Sequence, residues 1–321
     1  MALIALIYMT VWWLVIGSFL GLPILLIMLC VPAWRRPLLR HPRKLGALTL
    51  VATSVVGVTT YQILSSYQEN LRRNPTLDHA EQIEGLDLPA GTRLHLKAAE
   101  PLEAGGQPQA QALASLEAAE FGAPHTVMGL RVSALQMYGS DEANLKLVGN
   151  QTVDGWPCAG ASWVVARFNR QARLRPELWR FSRCELVPGT HIAGVDWPAD
   201  SQVLQRDVGY SVSHYGTSPA ITLDGLALKN VSVRLDAQRG RLHWEGQLRT
   251  PMTLGDWHYP EGMRVGQIMP YTLVFRADGY YTGRNLRTGE GLAPGHSIEQ
   301  HVLDGAELWI KPDSEVEGFD R

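Results

Sequence analysis

Charge is missing from the beginning of this 321-residue chain. The first 67 residues contain no Asp or Glu, and residues 3–30 carry no charged side chain of either sign. An amphipathic surface helix needs a polar face, so the uncharged run does not fit that class, whereas roughly 20 apolar residues suffice to cross a bilayer. A cleaved signal peptide is the rival interpretation, but it would need basic residues before a short apolar core. Residues 1–9 contain no Lys or Arg, which favours a membrane span.

Positive charge is concentrated between two apolar runs. The second run, residues 45–67, is also uncharged and long enough to span. Five basic side chains precede it: Arg35, Arg36, Arg40, Arg43 and Lys44. Because short loops rich in Lys and Arg stay in the cytoplasm, we predict a two-pass helical hairpin over residues 1–67 of a bacterial inner membrane, with a cytoplasmic basic loop at 31–45. A patch for anionic lipid or nucleic acid is the alternative interpretation of the basic loop.

The rest of the chain has the opposite charge balance. Residues 68–321 hold all 31 acidic residues and 29 − 5 = 24 basic ones, a net charge of 24 − 31 = −7. This acidic balance argues against nucleic acid as a partner. We predict a polar linker at 68–82, followed by a periplasmic domain at 83–321 that is long enough to bury a core.

Cysteine is scarce. Three residues exclude a disulfide-rich scaffold, and none of them forms a Cys-x-x-Cys pair. Cys30 lies at the edge of the first apolar run, while Cys158 and Cys184 are 26 positions apart in the domain. In an oxidising periplasm this second pair is a candidate disulfide, and two separate buried thiols are the alternative.

Catalytic motifs are also missing. The sequence has no His-Glu-x-x-His, no glycine-rich phosphate loop and no Gly-x-Ser-x-Gly. His214 and His258 stand beside Ser, Tyr or Asp, and hydrogen bonding to a turn explains both, although an unrecognised hydrolase would use them. Asp196 and Asp200 suit calcium, but carboxylates that cap turns account for them better. We therefore expect a non-enzymatic protein without a metal ion or cofactor.

Short alternating apolar runs, separated by Gly, Pro, Asn and Asp, fill most of the domain. This pattern predicts a mainly β fold. Residues 109–121 are the exception, because their Ala, Gln and Glu content favours a short helix or a loop excursion.

A repeated segment is the most specific pattern in the domain. It combines an early Gly with a bulky apolar residue before Pro, and it covers residues 83–94, 192–203 and 254–265, with a shortened copy at 153–164. Its prolines fall at positions 89, 157, 198 and 260. The pattern predicts strands that end in Pro-led turns and stack as solenoid-like coils.

Two fragments resemble MORN-type repeats, in which an aromatic residue and a Gly are followed by polar residues and further glycines. The matching residues are Trp244, Gly246, Gly255, Tyr281, Gly283, Gly289 and Gly291. The resemblance covers about 50 residues, without the regular spacing of the family. It implies a binding scaffold, and related bacterial repeat proteins include antitoxin-like partners of secreted toxins.

Tryptophan is abundant, with ten residues in the chain. Six of them lie between residues 156 and 257 of the β region: Trp156, Trp163, Trp179, Trp197, Trp244 and Trp257. They either stack in the core or form a surface for a partner protein or glycan. Under the second interpretation the candidate binding residues are Asp196, Trp197, Asp200, Trp257, His258 and Tyr259.

These patterns together predict a membrane-anchored periplasmic binding protein. Its expected contacts are the lipid bilayer and a protein partner. The leading functional hypothesis is immunity against an envelope-targeting bacterial toxin, such as one delivered by type VI secretion. A component of envelope assembly, or of lipid or polysaccharide transport, is the alternative.

Overall fold

The chain folds into two compact units. The computed structural model describes residues 42–98, 113, 115–216, 219–267 and 269–315. Among these residues, 42–75 and 96–98 belong to one unit, and 76–95 together with the described residues from 113 onward belong to the other. The predicted first span at 3–30 lies outside the described residues, as do Arg35, Arg36 and Arg40.

A single α-helix is present among the described residues. This helix, α1, covers Pro42–Arg73 and includes Arg43, Lys44 and the apolar run at 45–67. It continues through residues 68–73, and Pro75 then prevents further helical hydrogen bonding. No helix within the described ranges has the combination of length and apolar character that crossing a membrane requires.

The second unit consists of short β-strands, which confirms the prediction of a mainly β domain. The first twelve strands are β1 (Glu81–Ile83), β2 (Leu86–Leu88), β3 (Arg93–Leu96), β4 (Leu116–Val127), β5 (Leu130–Tyr138), β6 (Glu142–Leu147), β7 (Gln151–Val153), β8 (Trp156–Cys158), β9 (Trp163–Arg167), β10 (Arg180–Glu185), β11 (Thr190–Ile192) and β12 (Val195–Trp197). The remaining strands are β13 (Gln202–Gln205), β14 (Tyr210–His214), β15 (Ile221–Leu223), β16 (Leu226–Leu235), β17 (Arg241–Leu248), β18 (Met252–Leu254), β19 (Trp257–Tyr259), β20 (Arg264–Gln267), β21 (Thr272–Arg276), β22 (Arg284–Asn285), β23 (His296–His301) and β24 (Glu307–Pro312). Short 3₁₀ turns occur at Arg170–Ala172, Pro176–Leu178 and Asp313–Glu315.

One long open sheet contains fifteen of these strands. Its order is β24-β23-β21-β20-β17-β16-β14-β13-β10-β9-β6-β5-β4-β3, with β15 paired to β16. Neighbouring strands run antiparallel, so the chain crosses the sheet as a meander. The expected solenoid-like coils are therefore wrong, because the turns reverse the chain direction instead of carrying it around a coil.

The prediction of a short helix or a loop excursion at residues 109–121 is also wrong for residues 116–121, which form part of a strand. Leu116 begins β4, which pairs with β5 at residues 118–120 and again at residues 125–127. Helix propensity differs by under about 1 kcal/mol between most residue types, so pairing with a neighbouring strand overrides it.

Small hairpins occupy the connections at one end of the long sheet. These are β1–β2, β7–β8, β11–β12 and β18–β19, and β15 makes a similar hairpin with the start of β16. Both turn residues have positive φ at four tips: Glu84–Gly85, Asp154–Gly155, Ala193–Gly194 and Asp224–Gly225. Two consecutive positive φ angles define the type I′ turn, whose twist matches that of paired strands.

Four of the hairpins belong to a unit of constant length. In each unit a leucine N–H donates to the carbonyl oxygen of the residue 15 positions later: 77 to 92, 147 to 162, 186 to 201 and 248 to 263. The copy at 153–164 is therefore not shortened. Ala159 stands where the other copies have Pro89, Pro198 and Pro260, while Pro157 lies within β8.

Strand geometry explains how β8 tolerates Pro157. The two-residue turn makes Val153 and Trp156 a hydrogen-bonded pair, so the next pair, Thr152 and Pro157, directs its main-chain groups outward. The missing N–H of Pro157 therefore removes no hairpin hydrogen bond. Its carbonyl instead accepts from the N–H of Val187 at 2.9 Å.

The hairpins fold against one face of the long sheet. The Tyr259 ring of β19 stacks on Phe275 of β21 with centroids 3.7 Å apart, and Trp156 of β8 contacts Tyr210 of β14 edge-on at 4.9 Å. The core therefore lies between the hairpin layer and the sheet. This packing also buries the first and third residues of the second hairpin strands β2, β8, β12 and β19.

Cys158 and Cys184 are joined by a disulfide, with their Cα atoms 5.8 Å apart. The bond connects β8 of one hairpin to β10 of the long sheet. Beside it, the N–H of Ala159 donates to the carbonyl of Glu185 at 2.9 Å. The hairpin is thus attached to the sheet both covalently and through its main chain.

Candidate functional site

A cleft of about 520 Å³ lies between two neighbouring hairpins, above the long sheet. One wall comes from the β15–β16 hairpin and the other from β18. The lining residues are Asp224, Leu226, Arg241, Leu242, Met252, Leu254, Gln267, Met269, Pro270, Tyr271, Leu273 and Val302. Nine of these twelve are apolar or aromatic, and the volume falls within the usual range for ligand pockets.

The polar end of the cleft is a neutralised cluster around Asp224. This residue stands at the hairpin tip with φ of 48°, and its carboxylate contacts two side chains of β17. One carboxylate oxygen accepts from Arg241 Nη2 at 3.0 Å, and the other accepts from Trp244 Nε1 at 2.8 Å. Gln267 Oε1 lies 3.1 Å from the same indole nitrogen. With its negative charge paired, this end of the cleft favours an uncharged occupant.

The rim of the cleft is apolar and exposed. Leu242, Met269 and Tyr271 keep 53%, 58% and 65% of their surface accessible. Tyr and Met are enriched where proteins bind other proteins, since they supply large contact areas. The cleft thus combines a mainly apolar lining with side chains that remain open to a partner.

Tyr271 is held in a strained backbone conformation. It follows Pro270 in a turn that the N–H of Thr272 closes on the carbonyl of Met269 at 3.3 Å, and its φ is 62°. Proline at the second and positive φ at the third position describe a type II turn, where Gly or Asn is preferred. A bulky residue there costs about 1 kcal/mol or more. The turn presents an aromatic ring to solvent at an energetic cost, which is typical of a functional position.

The aromatic residues predicted to bind a partner lie in the core. Trp197 is fully buried and Trp257 is 5% exposed. The Trp257 indole N–H donates to Glu307 at 3.1 Å. The hydroxyl of buried Tyr259 donates to Gln300. Burial raises the pKa of Tyr259, and the nearby Glu307 carboxylate raises it further, so the hydroxyl remains a donor at physiological pH.

Among the polar residues predicted to bind, Asp196 and Asp200 are exposed and His258 is half-buried, and they belong to separate turns and hairpins. Asp196 pairs across its hairpin with His191, at 2.7 Å between Oδ1 and Nδ1. Asp200 occupies a turn with φ of 63°. His258 Nδ1 lies 3.2 Å from the Thr253 hydroxyl. The structure therefore does not bring the six predicted binding residues together, and none of them lines the cleft.

The two histidines considered for hydrolysis lie outside the cleft. His214 is buried, with Nδ1 3.5 Å from the hydroxyl of buried Ser201, and neither residue lines the cleft. Within the described ranges, no three His, Cys, Asp or Glu side chains gather as a potential metal site.

Sequence reasoning missed the turn at Met269–Pro270–Tyr271. The available signal was a turn made of apolar residues in a chain whose other turns are rich in Gly, Asp and Asn. Neither the models of known protein families nor the curated proteins match this chain.

Proposed function

We propose that this chain is a membrane-anchored, non-enzymatic binding protein of the bacterial envelope, and that the cleft beside β18 captures a protein partner in the periplasm. The observation that carries the proposal is Tyr271, an exposed aromatic residue held with positive φ at the rim of an apolar cleft. Strain of this kind persists only where the surrounding structure enforces it.

Immunity is the role that best unites the features of the chain. An uncharged N-terminal run, followed by five basic residues, suits an anchor that keeps the acidic domain outside the cytoplasm. From that position the cleft would meet a toxin arriving from a neighbouring cell before the toxin reaches its target. A disulfide between Cys158 and Cys184 is compatible with an oxidising periplasm.

The proposed topology predicts the behaviour of reporter fusions. Alkaline phosphatase folds only in an oxidising compartment, so fusion after Arg73 should give an active enzyme and fusion after Lys44 an inactive one. The reason is the high cost of moving the basic loop across the bilayer. The reverse activity pattern would contradict both the anchor and the periplasmic location.

Replacing Tyr271 by Gly should separate function from stability. Gly adopts positive φ without strain, so the variant should be more stable than the parent by about 1 kcal/mol. Loss of the ring should weaken partner capture. Cells that depend on the chain for survival beside toxin-producing siblings should therefore lose protection, even though they contain a more stable protein. Denaturant unfolding and a competition assay measure the two effects.

Ala161→Gly is the matched control for Tyr271→Gly. Ala161 also has positive φ, at 62°, but it lies in a turn away from the cleft. Its replacement should relieve similar backbone strain and leave protection unchanged. Full protection by Tyr271→Gly would remove the cleft from the proposed function. Survival of cells that lack the whole gene would exclude immunity itself.

Transport of a lipid or another apolar envelope molecule is the second candidate. The mainly apolar lining and the volume of about 520 Å³ favour it, because they suit a small ligand as well as a protein side chain. In that case deletion of the gene should disturb the composition of the envelope and should not sensitise cells to their siblings.

A further inference from the structure

One wall of the cleft is the unpaired edge of a small sheet. β18 pairs with β19 through Met252–Tyr259, Thr253–His258 and Leu254–Trp257, and β18 is the end strand of a three-stranded sheet in the described structure. The two-residue turn makes Leu254 and Trp257 a hydrogen-bonded pair, so the N–H and C=O of Thr253 point away from β19. Met252 and Leu254 line the cleft, whereas no residue of β19 does. The free edge of β18 is therefore the edge beside the cleft.

The chain itself shows how this small sheet accepts another strand. On the opposite side, β22 adds antiparallel to β19 through Trp257–Asn285 and His258–Arg284. Two residues from a distant part of the sequence thus extend the hairpin by main-chain pairing. The β18 edge offers the same kind of template without an occupant from the described chain.

We propose that an extended segment of the partner protein adds to β18 as a further strand and inserts apolar side chains into the cleft. This inference rests on the proposed function and specifies its mode of binding. Main-chain bonds would form at Thr253, while the alternate side chains of the segment would face Leu242 and Leu273. Because Asp224 and Arg241 already neutralise each other, the side chains that enter the cleft are uncharged.

Hydrogen-bond complementarity favours a polypeptide over an acyl chain. An acyl chain has neither donors nor acceptors for the main chain of Thr253, and it would leave the exposed rim uncovered. A strand satisfies both outward groups of Thr253 and brings side chains to Met269 and Tyr271. The predicted recognition element is therefore a short extended segment with apolar residues at alternate positions.

A synthetic peptide tests this mode directly. The probe is fluorescein-labelled acetyl-Thr-Leu-Thr-Val-Thr-Leu-Thr-amide, titrated against the full chain in lipid nanodiscs and followed by fluorescence anisotropy. Methylating the peptide nitrogens of the central threonines removes the N–H groups that face β18 and should weaken binding at least tenfold. Methylating those of Leu and Val, whose N–H groups face away, should change binding less than threefold.

Variants of the protein provide a second test of strand addition. Thr253→Pro removes the outward N–H from the β18 edge and should weaken peptide binding at least tenfold. Thr152→Pro makes the same change at the corresponding position of β7 and should leave binding unaltered. Leu242→Asp places a charge in the cleft and should abolish binding, which locates the peptide there.

The outcomes separate this inference from the proposed function. If Thr253→Pro binds the peptide as tightly as the parent, strand addition is overturned. It is also overturned if the peptide does not bind at all while Tyr271→Gly still abolishes protection. In both cases the proposed function of the cleft stands. Saturable binding of cis-parinaric acid that Leu242→Asp abolishes would overturn it in favour of an acyl ligand. Dimers of the chain that Thr253→Pro dissociates would overturn it in favour of a second copy. Strand addition with unchanged sibling survival would leave the binding mode intact and refute immunity.

Discussion

Replacing Trp197 by Ala is expected to lower the free energy of unfolding by about 3 to 5 kcal/mol. Trp197 is fully buried, and its indole N–H donates to the carbonyl of Ile192 at 3.2 Å. Truncation would leave a cavity between the β11–β12 hairpin and the core, and the Ile192 carbonyl would lose a donor. Denaturant unfolding of the full chain, followed by circular dichroism, measures the change.

Two further variants define what the Trp197 result means. Trp197→Phe retains most of the ring and should cost clearly less than the Ala variant, because the cavity is smaller. Tyr280 is 92% exposed, so Tyr280→Ala should change stability by under about 0.5 kcal/mol. If Trp197→Ala left stability within 1 kcal/mol of the parent and removed protection, Trp197 would belong to a binding surface despite its burial.

The fold class was accessible from the sequence because local patterns determine it. Alternating apolar residues and turn residues specify short strands regardless of what those strands pair with. The repeated Gly and Pro positions also marked real hairpins. Their arrangement was not accessible, because a strand followed by a tight turn is compatible with a coil or a meander. Only the long-range pairing, such as β14 with β16, decides between them.

The alignment of repeats by their prolines shows a related limit. Proline is tolerated wherever a main-chain N–H has no partner, and this condition holds both in the turn at Pro89 and at the outward position of Pro157. One residue type therefore marks two different places in the unit. The hydrogen bond over 15 residues, from Leu147 to Ser162, shows which positions of this unit correspond to those of the other three units. The residue pattern alone does not reveal this hydrogen bond.

The candidate site escaped sequence reasoning for a different reason. Trp197 and Trp257 attracted attention because large aromatics dominate interfaces, yet the same size makes them good fillers between a hairpin and a sheet. Tyr271 carries no motif. Its significance comes from positive φ, exposure and position beside the cleft, and each of these depends on how β20, β21 and the hairpins meet.

Removal of the disulfide is expected to cost about 3 kcal/mol of stability. Cys158 and Cys184 close a loop of 26 positions, and the chain-entropy model assigns that value to a loop of this length. The double variant Cys158→Ala, Cys184→Ala should therefore unfold at a lower denaturant concentration, and with a steeper slope, because its unfolded chain is no longer cross-linked and exposes more surface. Hydrogen exchange should increase first in β7 and β8, because the disulfide attaches that hairpin to β10.

Reduction provides the matched control for this prediction. Dithiothreitol should lower the stability of the parent chain to about that of the double variant, and it should not affect the double variant itself. Cys30→Ser, which leaves the pair intact, should behave as the parent. If both domain thiols in the native, oxidised protein were freely alkylated, the covalent attachment would be absent. The β7–β8 hairpin would then depend on main-chain bonds such as Ala159 to Glu185 and on the packing of Trp156 against Tyr210.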